Sequence, residues 1–124
     1  LPGGMMKANE SKISTLHREL KEELGLDPEK YKVVGELKDV TTAFTGIRIF
    51  PFVAFLSYSA KIVPSEEIES FSFVPLTSLR PLIYSDRVET ELGTLWGATA
   101  RIIRNLFLEG RNFLPELSDL IPNL

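Results

Sequence analysis

LPGGMMKANESKISTLHRELKEELGLD, residues Leu1–Asp27, sets two glycines ahead of a helical pattern that ends in three carboxylates. Ile13, Leu16, Leu20 and Leu24 recur at the spacing of a single helix face. Asn9 is the expected N-cap, Glu10 puts an acid at the positive end of the helix dipole, and Gly25 is the expected terminating glycine. The spacing therefore predicts a helix over 9–24. Residues three and four apart are neighbours on a helix surface, so Glu19, Glu22 and Glu23 gather on one side, about a quarter turn or more from the apolar stripe. Carboxylates held so close repel one another unless a cation lies between them. Hard divalent ions prefer oxygen ligands of this kind. The Gly3–Gly4 pair lets backbone approach a ligand and leaves a carbonyl able to coordinate. Glu10 and Arg18 are placed to pair across the loop–helix junction.

Composition narrows the class. A chain of 124 residues is expected to form one domain, and 44% hydrophobic with 25% charged residues suits an ordinary globular core. With no cysteine, disulfides, thiolate metal sites and a cysteine nucleophile are excluded. That absence fits a reducing compartment, and no signal peptide is visible, so a cytoplasmic protein is expected. The net charge of −3 argues against a nucleic-acid partner. The longest apolar run, Ile49–Leu56, is too short to cross a bilayer and is broken by Pro51.

Past Asp27-Pro28, Tyr31–Asp39 reads as a strand. Gly46–Ser59 reads as a longer one, apolar on both faces through Phe50–Leu56 and so expected at the centre of its sheet. Lys61–Glu67 reads as a polar loop. Ile68–Val74 alternates, with Phe71 and Phe73 on one face, and predicts another strand. Pro75–Leu82 reads as a short turn or helix, and Tyr84–Gly93 as a loop or weak strand. Thr94–Glu109 reads as a second amphipathic helix with Trp96, Ile103, Leu106 and Phe107 apolar and Gly110 ending it. The tail to Leu124 is expected to add one helical turn. These elements predict an α/β fold in which helices cover a mixed sheet. Three strands are few for such a sheet, and a Leu-Pro-Gly-Gly turn ordinarily follows a strand, so further strands are expected N-terminal to Leu1.

Gly4, five residues, Glu10, seven residues, then Arg18-Glu19-Leu20-Lys21-Glu22-Glu23-Leu24-Gly25-Leu26 fits every fixed position of the Nudix box, G-x5-E-x7-R-E-U-x-E-E-x-G-U with U aliphatic. The chain resembles the Nudix hydrolases. That resemblance implies an α/β/α sandwich around a mixed β-sheet, with a loop–helix–loop at residues 3–26 and a single Nudix domain over 1–124 that lacks its N-terminal strands. It implies Mg²⁺ or Mn²⁺ as cofactor, held by Glu19, Glu22 and Glu23 with the Gly3 carbonyl as a further ligand. Gly4, Glu10, Arg18 and Gly25 take structural places in the box. The implied reaction is metal-dependent hydrolysis of a nucleoside diphosphate linked to another moiety, a pyrophosphatase acting on a small-molecule nucleotide. The metal would neutralise phosphate charge and acidify a water, and a carboxylate would take its proton. Glu19 is one candidate for that base and an acid from a later loop is the other. Relatives of this kind are often homodimers.

Three further stretches resemble the coenzyme A diphosphatases: DVTTAFTGIRIFPFVAFL (Asp39–Leu56), FVPLTSL (Phe73–Leu79) and LWGATARIIRNL (Leu95–Leu106). That subgroup carries a second signature upstream of the box that ends in F-P-G-G. Here Leu1-Pro2-Gly3-Gly4 stands at its end, with Leu1 in place of the usual Phe. The implied substrate is coenzyme A, cleaved to 3′,5′-ADP and phosphopantetheine. The alternatives are another nucleotide (ADP-ribose, a nucleotide sugar, NADH or a nucleoside triphosphate) or a non-catalytic nucleotide-binding regulatory module. The last usually loses box acids, and all three are present here.

Other residues carry competing readings. His17, the only histidine, lies near the edge of the apolar stripe and reads as packed rather than catalytic. Trp96 reads as core more readily than as a platform for adenine. Thr41, Thr42 and Thr45 read equally as cleft lining or as a polar loop. Glu66, Glu67 and Glu69 read as solvated loop acids rather than ligands. Ser72 stands where some relatives carry a glutamate, and Asp86, Glu89 and Glu91 remain open as later-loop acids.

Overall fold

The structure, a computed structural model, describes residues 1–115 and 117. The tail turn expected beyond the second helix therefore lies, at 116 and from 118 onward, outside the described residues. The chain divides into two compact units, one of Leu1–Val33 with Ala54–Phe71 and one of Val34–Val53 with the residues from Ser72 on.

The first unit is built on helix α1, Lys12–Leu24. It starts later than the spacing predicts because Ser11, not Asn9, is the N-cap: its side chain accepts from Ser14 N at 3.1 Å. Asn9 instead takes a left-handed conformation (φ 68°) in the preceding turn, where Glu10 N donates to Lys7 O at 3.1 Å. This turn detaches Glu10 from the helix and frees its side chain for another partner. At the other end Gly25 is left-handed (φ 65°) and its N–H returns to Lys21 O, the termination its position predicts. Leu20, Leu26 and Tyr31 form the core of this unit, with Leu16, Leu24, Val33, Ala60 and Ile62 packed on them. The segment after the strands is tied to the end of α1, with Val63 N donating to Leu24 O (2.9 Å) and Ser65 N to Glu23 O (2.8 Å).

Strand β1, Tyr31–Glu36, is shorter than predicted, and the predicted long strand is divided. Val40–Thr41 (β2) and Arg48–Ile49 (β3) make a small antiparallel hairpin, and Phe52–Leu56 (β4) pairs with β1. Pro51 has no N–H to give to a ladder and separates β3 from β4. The apolar run is also not central: among the described strands β4 pairs only with β1, and Phe55 and Leu56 are exposed. Ser57 N to Lys30 O (2.8 Å) and Leu37 N to Pro51 O (2.9 Å) bracket the two ends of that pair and show its antiparallel direction.

In the second unit Leu76–Ile83 is a run of 3₁₀ helix, and Val88–Thr90 (β5) pairs antiparallel with Gly93–Leu95 (β6). Helix α2, Gly97–Glu109, follows. Its face of Ala100, Ile103 and Phe107 packs with Leu79, Leu82 and Leu114. Phe107 is completely buried, which for a ring of this size contributes about 1.5–3 kcal/mol. Two expectations are corrected here. Ile68–Val74 forms no regular strand, since alternation describes how side chains would point and not what the backbone would pair with. Trp96 is not core: α2 begins one residue after it, Trp96 is extended (φ −155°), and its surface is 65% exposed.

The fold is α/β, with its strands among the described residues arranged as three two-stranded pairs. No described helix is long and apolar enough to cross a membrane.

Candidate functional site

Loop 3–10 and one face of α1 build the site within the first unit. Arg18 is its hub. Its guanidinium grips Glu10 bidentately, Nε to Oε2 at 2.7 Å and Nη2 to Oε1 at 3.0 Å. The same Nη2 donates to Met5 O at 2.9 Å, so the loop is fastened to the helix through both a side chain and a carbonyl. Nη1 reaches Glu19 Oε1 at 2.7 Å and Glu22 Oε2 at 3.2 Å. Arg18 thus offsets the charge of Glu19 and Glu22, while Glu23 lies outside its reach and bonds Gly3 N. Planar Arg suits this work because it presents five donors in a fixed fork.

The hydrogen bonds from Arg18, with help from Lys7 N–H at 2.7 Å, draw the Glu10 carboxyl down from its usual 4.5 to about 2. Desolvation opposes them and loses. Glu10, and after it Glu19, push the Arg18 guanidinium further above its already high value. Thr15, buried beneath, places its hydroxyl 3.3 Å from Glu10 Oε1 and 3.0 Å from Ser11 O.

The three glutamates are held differently. Glu19 is shielded, its side chain only 13% exposed, and lies against Gly4. A Cβ on Gly4 would come within 2.2 Å of the Glu19 carboxyl, so any larger residue there would push that carboxyl aside. Glu22 is open, its side chain 55% exposed. Glu23 accepts from Gly3 N at 3.0 Å, so Gly3 enters the site through its N–H. Among the described residues no three acidic or imidazole side chains converge on one point. The donors still suit a hard cation: the bonds to Arg18 and Gly3 engage one oxygen of each carboxylate and leave the other outside them. A divalent ion held by Glu19, Glu22 and Glu23 would share Glu19 and Glu22 with Arg18 or draw them from it.

Sequence reasoning anticipated the Glu10–Arg18 pair and missed the hold of Arg18 on the acids. The signal was present, since Arg18 and Glu22 stand four residues apart on a helix. His17 packs as expected: its Nδ1 meets the Tyr31 hydroxyl, with ring centroids 5.6 Å apart. Burial raises the Tyr31 phenol above its usual value. Glu66, Glu67 and Glu69 are exposed loop acids.

In the second unit Thr42 and Thr45 form the turn of the β2–β3 hairpin, with their hydroxyls 2.5 Å apart and Ile47 N on Thr42 Oγ1 at 2.9 Å. Asp39 is held below its usual range by a bond from Arg48 at 2.7 Å. The later acids have partners too: Glu91 accepts from Ser72 Oγ (3.0 Å), Glu89 from Thr94 Oγ1 (2.6 Å) and Asp86 from Arg87 Nε (3.2 Å).

Two comparisons bear on this geometry. The sequence profile of the family described as "NUDIX domain" matches residues 1–92. The chain is also similar to a Caenorhabditis elegans protein named "Nudix hydrolase 3", at 29% identity over 82 residues that make up 63% of this chain and 34% of that protein. The chain thus matches about a third of that relative's length. With the profile covering most of its residues, and Arg18 tying Glu10, Glu19 and Glu22 together, the chain belongs to the Nudix family.

Proposed function

We propose that this chain hydrolyses the diphosphate of a nucleoside diphosphate derivative with the help of a divalent cation, and that its substrate is coenzyme A. The observation that supports the reading is the tie of loop to helix: Arg18 binds Glu10, Glu19, Glu22 and Met5 O, and Gly3 N donates to Glu23, so three carboxylates of α1 lie along the loop without yet converging on one point. Bound Mg²⁺ or Mn²⁺ would supply charge neutralisation at the phosphates and a more acidic water. The chain's own part is to hold the ion through the three carboxylates, to fix Glu19 through Arg18, and to receive a proton on a carboxylate. Glu19, shielded and beside the loop, is our candidate for that last task, with an acid from a later loop as the other. The choice of coenzyme A rests on the resemblance of Asp39–Leu56, Phe73–Leu79 and Leu95–Leu106 to the coenzyme A diphosphatases.

The test offers the protein, with Mg²⁺ or Mn²⁺, coenzyme A, ADP-ribose, NADH and a nucleoside triphosphate, and follows products by mass. Preferential release of 3′,5′-ADP is expected. Cleavage of another member would retain the chemistry and discard coenzyme A, and binding without cleavage would make the chain a regulatory module.

The glycine pair gives a second check. Gly4→Ala forces the Glu19 carboxyl away from its place, while at Gly3 an added Cβ meets nothing within 4 Å. Misplacing a reacting group by about 1 Å costs about 10²-fold, so Gly4→Ala should lose turnover on that scale. Its melting temperature should stay close to the parent's, because the displaced group is the end of a flexible side chain. Gly3→Ala should keep most turnover. Equal activity of the two variants would remove Glu19 from the site.

A further inference from the structure

The second unit contains a cleft that the Nudix helix does not explain. It has a volume of about 260 Å³, and Trp96, Arg87, Arg101 and Arg104 line it with Ala100 and Asp86. Three arginines and one aspartate line it, Arg87 Nε pairing with Asp86 Oδ1 at 3.2 Å, so two positive charges are in excess there in a chain whose net charge is −3. A local excess of positive charge on an acidic protein attracts anions to that place. Two of the guanidiniums are also held in position by backbone carbonyls. Arg104 donates from Nε to Leu82 O (2.8 Å) and from Nη2 to Ser85 O (2.7 Å), and Arg101 Nη2 donates to Thr41 O (2.8 Å). Each of these bonds uses only part of the five-donor fork, so further N–H groups remain on preoriented side chains. Trp96 stands extended ahead of α2 and the residue is 65% exposed, while Ala100 is buried.

We propose that this cleft binds a mononucleotide, with the base stacked on Trp96 and the phosphate against Arg101 and Arg87. An indole face accepts any base by stacking, and guanidinium pairs well with phosphate. Size favours one nucleotide over a longer ligand, since sites for drug-sized molecules run to about 300–1,000 Å³ and this one is smaller.

Trp96 is the only tryptophan, so its fluorescence reports on the cleft directly. AMP, ribose 5-phosphate and inorganic phosphate are titrated separately with EDTA present and excitation beyond adenine absorption. Removing metal keeps the readout independent of the hydrolytic reading, so either can fail alone. AMP should quench the emission saturably, and ribose 5-phosphate should bind at least about tenfold more weakly, the equivalent of about 1.4 kcal/mol. Arg101→Gln should weaken AMP to a similar degree. Arg87→Gln, at a side chain 65% exposed and outside the core, is the second variant should loss of the Thr41 bond unsettle the first. No saturable quenching, equal binding of AMP and ribose 5-phosphate, or AMP affinity by calorimetry that neither arginine change nor Trp96→Leu lowers would each overturn the assignment.

Discussion

Glu23→Gln should lower turnover by about 10²–10³-fold, the range for deleting one group that stabilises transition-state charge, while the protein remains folded. The structure says why the fold should survive. Among the described residues the Glu23 side chain accepts from Gly3 N at 3.0 Å, and the amide oxygen of glutamine can accept that bond in the same place. Its backbone bond from Ser65 N is untouched. What changes is the charge available to a divalent cation. Metal affinity should fall with turnover, and raising Mn²⁺ should recover part of the activity. Lys21→Ala is the control on the same helix. Lys21 pairs with Asp27 at 2.7 Å, yet both side chains are about half exposed, and such a pair is worth no more than about 1 kcal/mol. Parent-like turnover in Glu23→Gln would end the metal-site reading, whatever Lys21→Ala does.

The parts of the fold legible in the sequence are those whose cause is local. Leu16, Leu20 and Leu24 of the α1 stripe, Gly25 after it, and Ile103, Leu106 and Phe107 of α2 all act within a turn or two of the chain, whereas Ile13, at the first turn of α1, stays exposed. Even there a local rival won at the start of α1: Asn9 and Ser11 are both good caps, and the left-handed turn at Asn9 gave the place to Ser11. Strand readings depended on partners far along the chain and fared less well. The Phe50–Leu56 run suggested a central strand, but Pro51 split it and Phe55 is exposed. Phe71 and Phe73 alternate without a strand around them. Helical period counts Trp96 with the α2 face, but it sits just outside the helix.

The site shows the same division. Spacing alone put Glu19, Glu22 and Glu23 on one side of α1 and set Glu10 opposite Arg18. It did not show that one guanidinium would serve all of Glu10, Glu19, Glu22 and Met5 O, because that depends on how loop 3–10 folds back over the helix. Nor did it show Ser72 against Glu91, which stand 19 residues apart.

The hub makes Arg18 the other position of large effect. Arg18→Lys keeps the charge and loses the fork: one ammonium cannot span Glu10, Glu19, Glu22 and the Met5 carbonyl together. Turnover should fall by about 10²-fold as Glu19 loses its fixed place, and the melting temperature should fall as the loop detaches. Acid dependence reports the same tie without any substrate. Glu10 ionises at about 2 when folded against its usual 4.5, so below about pH 4.5 the unfolded chain binds more protons at this residue than the folded one. Its contribution to stability is whole above that value and drains away as pH falls through about 2. The parent should therefore lose its melting-temperature advantage over Glu10→Gln across that interval. Arg18→Lys, with a weaker hold on Glu10, should lose its own advantage at higher pH than the parent. An advantage of parent over Glu10→Gln that stayed constant down to pH 2 would mean that Arg18 and Glu10 do not fasten the loop, and the ordering of Glu19 through Arg18 would go with it.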